Sequence, residues 1–113
     1  MAKIIKIPSA YVMDSKVVGV SKPNDDGEER QDIIRREVEE NDILKVELDS
    51  NNSFDPDAVK VLSKLGNQIG YLARDIAPRV KSALLNEAEV TVKASWVSGD
   101  KFVGVGLRIE MVN

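Results

Sequence analysis

The segment 52–57, NSFDPD, places an aromatic ring next to a carboxylate within a cluster of turn-forming residues. A phenyl ring can stack on an unpaired nucleobase, because every base offers a π-face. A carboxylate beside it can accept a hydrogen bond from a free sugar hydroxyl, whereas it repels a continuing phosphate chain. Phe54 and Asp55 are therefore predicted to hold the end of a nucleic-acid strand. The same segment also fits a plain turn, in which Asn52, Asp55 and Asp57 are turn formers and Phe54 covers the core.

A second group of residues that could contact nucleic acid follows a short polar spacer. Tyr71 is predicted at the end of a strand, where its hydroxyl could reach a phosphate or a sugar. Arg74 and Lys81 on one helical face, and Lys22 in an earlier loop, could pair with phosphates, which supply most of the affinity of nucleic-acid binding. A half-buried tyrosine beside a solvated helix face is the alternative interpretation.

Composition excludes several kinds of catalysis. The chain has 113 residues and contains no cysteine and no histidine. Disulfides, zinc sites built from thiolate or imidazole, and triads that need a histidine base are therefore excluded. Asp55, Asp57 and Lys60 leave a small metal-dependent nuclease as a remote alternative, although no third carboxylate is clearly placed. We expect a protein that is not an enzyme and that has neither a cofactor nor a metal.

Length and hydropathy indicate one domain covering residues 1–113. The N-terminus lacks the long apolar region of a signal peptide, and no apolar run approaches the length of a membrane span. We therefore expect a cytoplasmic protein that does not bind membranes.

The charge of the chain is unevenly distributed. The net charge is −3, but residues 24–42 contain nine acids and three arginines, a local balance of −6 that leaves +3 for the remainder. We interpret the acidic segment as a solvated loop and helix face. It also supports an alternative function, a protein-interaction module that engages a partner through its acidic helix or a strand edge and does not bind nucleic acid.

Hydrophobic periodicity predicts a mainly β domain with two short helices. Apolar residues alternate with polar ones in several segments, which is typical of half-buried strands. Asp75 is predicted to be the N-cap of the second helix, and Pro78 is predicted to lie in its first turn. Trp96 alternates with Val92 and is predicted to lie in the core. The paired glycines of the last strand favour sharp coiling, so we predict a compact, six-stranded, OB-like β-barrel. The predicted strands are 17–20, 44–48, 58–62, 68–72, 90–96 and 103–111, with a further short strand near 4–7, and the helices are 28–39 and one from 75 onward.

Taken together, these segments resemble the HIRAN domain over about residues 16–111. The matching motifs are KVVGV at 16–20, NSFDPDAVKV at 52–61 and GNQIGYL at 66–72, and the Arg30-Gln31 dipeptide is typical of stand-alone bacterial members. The resemblance implies an OB-like barrel. For members fused to helicases it implies binding of single-stranded DNA at its 3′-hydroxyl end.

Carried over by position, the resemblance implies that Phe54 stacks on the terminal base and Asp55 receives the hydroxyl. Tyr71 and Arg74 would line the strand, with Asn52 supporting the turn. The same resemblance implies a role in DNA repair or replication-fork processing, with a helicase or nuclease as a partner protein. The loop 20–26 departs from the helicase-fused pattern: it has one lysine, no aromatic residue and several acids, so one wall of the expected groove is missing.

Overall fold

A computed structural model describes residues 10–112 of the chain. These residues form six strands and two helices, and the predicted mainly β, OB-like architecture is confirmed. The predicted short strand near 4–7 lies outside the described residues. In chain order the elements are β1 (Ala10–Lys16), α1 (Arg30–Glu37), β2 (Ile43–Leu48), β3 (Val59–Leu62), β4 (Gln68–Tyr71), α2 (Ala77–Leu85), β5 (Glu89–Ser98) and β6 (Gly104–Val112).

All the strand pairs are antiparallel, and the strands follow the order β1-β6-β5-β2-β3-β4 across one curled sheet. The segment after β1 brings the two ends of the sheet together. The Val17 amide donates to the Val105 carbonyl of β6 (2.9 Å), and Val18 exchanges two backbone hydrogen bonds with Tyr71 of β4 (2.9 and 3.0 Å). These hydrogen bonds place β4 beside the segment that directly follows β1.

The first strand lies earlier than predicted. We expected a core strand at 17–20, but β1 occupies Ala10–Lys16, and only Val17 of the predicted segment is buried. The prediction relied on a run of apolar residues. The strand is instead defined by its pairing with β6, and it presents mostly exposed side chains at that edge of the sheet.

The core fills the concave side of the sheet and is closed by the two helices. Strand alternation places its side chains as predicted, with Val105, Leu107 and Ile109 of β6 fully inward. Ile33 and Ile34 of α1 are completely buried, so this helix packs an apolar face into the core. Other members of the cluster are Val38, Leu44, Val59, Val61, Ile69, Leu72, Ala77, Val80, Val92 and Ala94.

The second helix begins two residues later than predicted. Asp75 does not cap it; α2 starts at Ala77, and no side chain caps its first turn. The Ala73 carbonyl accepts from the amides of Ile76 (3.1 Å) and Ala77 (3.0 Å), so a preceding turn satisfies these donors and Asp75 lies within that turn. Pro78 occupies the first turn as predicted, where its missing N–H leaves no bond unmade.

Trp96 is not in the core, contrary to prediction. The register of the β5–β6 hairpin shifts between Ala94, which faces Leu107, and Trp96, which faces Gly106. This β-bulge inserts Ser95 and reverses the alternation, so Trp96 turns to the outer face and is 41% exposed. Simple period-2 counting cannot detect such an insertion, and it therefore assigned the indole to the wrong face.

A buried carboxylate ties α1 to the turn between β3 and β4. The Glu37 side chain accepts hydrogen bonds from Ser63 Oγ (2.7 Å), Asn67 Nδ2 (2.9 Å) and Arg36 Nη2 (2.7 Å). The hydrogen bond from Asn67 is the largest cause that lowers the pKa of Glu37 below its usual range. The prediction that the acidic segment is solvated is thus wrong for Glu37, although Glu39 and Glu40 are exposed.

Among the described residues, neither helix is long or apolar enough to cross a bilayer.

Candidate nucleic-acid interface

The loop between β2 and β3 is shaped by two asparagine and aspartate turns. Asn52 Oδ1 accepts from the amides of Phe54 (2.9 Å) and Asp55 (3.0 Å), and Asp55 Oδ1 accepts from the Asp57 amide (3.0 Å). These bonds define the path of the backbone and leave the Phe54 ring 91% exposed. The predicted turn formers do form the turn, but Phe54 does not cover the core.

Asp55 and Arg74 meet beside the exposed ring. Arg74 Nε lies 3.5 Å from Asp55 Oδ2, and Arg74 Nη2 donates to the Phe54 carbonyl (3.2 Å). The arginine side chain is 77% exposed, so this ion pair adds little stability. It does hold a carboxylate oxygen and a guanidinium next to each other at the surface, and a carboxylate oxygen can accept a second hydrogen bond.

Tyr71 is fixed from two sides. Its hydroxyl donates to Asp49 Oδ2 (2.9 Å), and the Arg30 guanidinium lies 5.4 Å from the centre of its ring. The predicted direct contact from this hydroxyl to a ligand must therefore compete with Asp49. The ring itself stays half-buried in the wall of the site.

Gly70 permits the close approach that brings Val18 to this wall. Its φ is +154°, and a β-carbon there would overlap the Val18 carbonyl oxygen and the Val17 side chain. Only a residue without a side chain can therefore pair at this point, which explains the glycine in the IGY sequence of β4.

These residues surround one open cleft of about 400 Å³ on the outer surface. Its floor is apolar and its rim carries the amide, carboxylate and guanidinium groups. The lining residues are Val18, Asn52, Phe54, Asp55, Ala58, Tyr71, Leu72 and Arg74. Five of the seven predicted site residues are thus brought together, which leaves Lys81 and Lys22.

Lys81 and Lys22 do not line this cleft. Lys81 Nζ donates to the Pro56 carbonyl (2.8 Å) and pairs with Asp57 Oδ1 (3.2 Å), so it supports the loop from behind. Lys22 is exposed in the turn that follows Gly19, where its amide donates to the Gly19 carbonyl (3.2 Å).

Sequence reasoning missed the residues that hold the site from beneath. Arg30 is 7% exposed and donates from Nε to Asn24 Oδ1 (2.7 Å) and from Nη1 to the Gly19 carbonyl (2.9 Å). Gln31 is also buried, and its amide bonds the Val20 and Val103 carbonyls (both 3.0 Å). The Arg-Gln dipeptide thereby ties the 19–24 loop to α1 and β6. Its only sequence signal was its place in the family pattern.

The acidic loop lies on one flank of the interface. Asp25, Asp26 and Glu28 line a separate depression of about 290 Å³ together with Lys60, which pairs across the strands with Tyr71. Within residues 10–112, no group of three or more acidic, histidine or cysteine side chains is arranged to hold a metal ion. Negative charge is therefore concentrated beyond the Tyr71 side of the cleft.

A curled antiparallel sheet of six strands, with an exposed ring and a carboxylate on an outer cleft, defines a small OB-like β domain. The family model of the HIRAN domain matches residues 11–111. The chain belongs to the HIRAN domain family, which is known as a family of DNA-binding modules. The predicted family resemblance is thus confirmed over nearly the whole chain.

Solved structures share this fold at low sequence identity. The HIRAN domain of human HLTF superposes with a TM-score of 0.71 at 20% identity, covering 90% of this chain and 75% of that chain. A protein from Lactobacillus plantarum superposes with a TM-score of 0.74 at 15% identity, covering 94% of this chain and 98% of that chain. No curated protein sequence matches this chain.

Proposed function

We propose that this protein is a non-enzymatic module that binds single-stranded DNA at a 3′-hydroxyl end, in the cleft beside Phe54. The observation that carries the proposal is the exposed ring of Phe54, held 91% accessible by its own loop, next to a carboxylate at the cleft rim. A phenyl ring held out from the surface in this way offers a face on which an unpaired base can stack.

Each side chain of the cleft has a separate task in this proposal. Phe54 stacks on the terminal base, and Asp55 Oδ2 accepts the hydrogen bond of the 3′-hydroxyl. Arg74 turns its exposed guanidinium to the preceding phosphate while it keeps Asp55 oriented. Asn52 holds the turn through its two amide hydrogen bonds.

The lysines act outside the cleft. Lys81 holds Pro56 and Asp57 in place, and so acts on the ligand only through the loop. Lys22 is a candidate contact for phosphates further along the strand. The Asp55 carboxylate disfavours a phosphate at the position of the hydroxyl, because two negative charges would then be in contact.

The test is a titration with two short thymidine strands that differ only in a 3′-hydroxyl or a 3′-phosphate. We expect the hydroxyl strand to bind at least about tenfold more tightly, since a lost charge-assisted hydrogen bond and a new repulsion together exceed about 1.4 kcal/mol. Asp55→Asn should reduce this preference, and Asp25→Asn, in the acidic loop, serves as the matched control. Equal affinity of the two strands for the wild-type protein would remove Asp55 from its proposed role.

The biological setting we infer is the handling of strand ends in the cytoplasm during DNA repair or replication-fork processing, with a helicase or nuclease acting on the bound end. This setting is supported only by membership of the HIRAN domain family. The chemistry of the cleft is compatible with it, because an end-binding module without its own catalytic group needs an enzyme to process what it holds.

A further inference from the structure

Trp96 forms a rigid aromatic surface on the outer face of the β5–β6 hairpin. A β-carbon on Gly106 would overlap the pyrrole atoms Nε1, Cδ1 and Cε2, and one on Gly104 would lie 3.2–3.3 Å from the ring carbons Cζ3 and Cη2. The indole therefore lies lengthwise over two glycines, with one face against the sheet. Its other face is turned to solvent, in keeping with an exposure of 41%.

The Trp96 ring and the Phe54 cleft lie on the same face of the sheet. Trp96 pairs with Gly106, and Gly106 pairs with Lys16 of β1. Side chains alternate along a strand, so Lys16 and Val18 point to the same side while Val17 between them is buried. Val18 lines the cleft and pairs with Tyr71. A continuous path therefore leads from the cleft over Lys16 to the indole.

The length of this path suits a single strand of nucleic acid. Trp96 and Tyr71 are separated by three strand spacings and by the two residues from Lys16 to Val18, about 16 Å on standard sheet dimensions. One OB-type domain commonly covers roughly 4–16 nucleotides. A strand with its end in the cleft therefore reaches Trp96 within a few nucleotides.

The charge distribution favours a nucleic-acid strand that leaves the cleft towards Trp96 over one that leaves it towards the acidic loop. Lys16 and Lys93 flank Trp96 on its own face, and neither forms an ion pair within residues 10–112. On the other flank of the cleft, the depression beside Lys60 is lined by Asp25, Asp26 and Glu28. A polyanion that leaves the cleft is repelled on that flank and attracted towards Lys16.

From these observations we infer a second binding site, in which Trp96 stacks on an interior base of the single DNA strand whose 3′ end occupies the Phe54 cleft. Lys16 and Lys93 contact the phosphates on either side of that base. This inference rests on the proposed function, because the cleft supplies the end from which the strand is measured. The two glycines, Gly104 and Gly106, allow the indole to lie flat against the sheet, where it can stack on a base.

Trp96 is the only tryptophan of the chain, so its fluorescence reports the site directly in the wild-type protein. The experiment compares a thymidine dinucleotide, which fills only the cleft, with a strand of roughly ten thymidines, both with a 3′-hydroxyl. We expect the longer strand to quench Trp96 emission and the dinucleotide to leave it nearly unchanged. This readout needs no substitution and does not depend on the folding of a variant.

Affinity measurements on variants give an independent check. Trp96→Leu should weaken binding of the longer strand about 5- to 150-fold, the range for loss of one base-aromatic stack, and should leave dinucleotide binding unchanged. Lys16→Gln should weaken only the longer strand. Tyr11→Leu is the matched control, because Tyr11 is also exposed but lies on the other face of β1.

The outcomes separate this inference from the proposed function. If the longer strand binds through its 3′ end without quenching Trp96, the second site is wrong and the cleft stands. If the longer strand quenches Trp96 equally with a 3′-hydroxyl and a 3′-phosphate, the indole binds DNA and the proposed end recognition is wrong. If neither strand binds, both proposals are overturned, and the exposed Trp96 face is then better explained by a protein partner.

Discussion

At the scale of single residues, the side chains proposed to bind DNA differ from those that stabilise the fold near the cleft. Phe54 contributes almost nothing to the core, because its ring is 91% exposed, and the loop is held by backbone bonds to Asn52 instead. The residues that carry stability near the site are different ones, above all Arg30 beneath Tyr71. Substitutions can therefore remove a ligand contact without disturbing the fold.

Phe54→Ala should leave the free energy of unfolding within about 0.5 kcal/mol of wild type, as expected for a surface substitution. It should weaken binding of a short 3′-hydroxyl strand by about 1–3 kcal/mol, the cost of one lost base stack. Urea denaturation and a binding titration on the same preparation test both parts. Leu65→Ala, at another exposed apolar residue in the β3–β4 turn, should change neither quantity. Unchanged binding by the Phe54 variant would show that no base stacks there.

The sequence predicted the residues that line the cleft better than it predicted the residues that support them. Phe54, Asp55, Tyr71 and Arg74 lie close in the fold because local turn chemistry and strand order bring them together, and both can be recognised in a sequence. The residues that support the cleft depend on contacts between separate parts of the chain, such as the hydrogen bond that Arg30 donates to the Gly19 carbonyl. Such contacts leave no periodic signal.

At the scale of elements, the errors share one physical cause. Trp96 was assigned to the core because alternation was counted through Ser95, and the bulge is visible only once the register with β6 is known. The residue type of Asp75 favours an N-cap position, which is why the sequence predicts a cap there. In the structure, the amides of Ile76 and Ala77 donate to the Ala73 carbonyl instead. In both cases pairing with another part of the chain overrode a local preference.

The Glu37 cluster makes the packing of α1 against the β3–β4 turn dependent on pH. The pKa of Glu37 is lowered in the folded state, chiefly by the hydrogen bond from Asn67, against burial that acts in the other direction. A carboxyl with a lowered folded pKa stabilises the fold above its unfolded pKa of about 4.3 and loses that contribution as the pH falls through the folded value. Stability should therefore fall on acidification below about pH 4.

Glu37→Gln should destabilise the protein by about 1–3 kcal/mol at neutral pH, because buried donors lose a charged acceptor. The difference from wild type should shrink at an acidic pH below the unfolded pKa of about 4.3, because the wild-type protein then loses part of the contribution of its ionised carboxylate. Urea denaturation at the two pH values measures this change. Glu39→Gln, two residues further on and exposed, is the matched control and should show little difference at either pH. A Glu37→Gln deficit that persists unchanged in acid would indicate a packing effect instead of an ionised acceptor.

At the scale of the whole molecule, an acidic protein is proposed to bind a polyanion, and the distribution of charge makes this possible. Residues 24–42 carry a charge of −6 and leave +3 for the remainder, and several of these acids line a depression beside the cleft and not the cleft itself. Among residues 10–112, Arg74 is the only cation that lines the cleft, and Lys16 and Lys93 lie further along the same face. Few phosphate contacts should therefore form, and affinity should depend more on stacking than on counterion release.

The salt dependence of binding should reflect these few contacts. Each phosphate contact on a single strand lowers the slope of log K against log[salt] by about 0.7, so the dinucleotide should give a slope near −0.7 and the longer strand a slope near −2. Arg74→Gln should remove one phosphate contact and so reduce the magnitude of both slopes by about 0.7. Lys64→Gln, in the β3–β4 turn, should change neither slope. Titrations between about 50 and 200 mM salt measure these slopes. A slope steeper than about −4 for the longer strand would require additional cations, and would mean that the strand follows a path other than the one from Phe54 over Lys16 to Trp96.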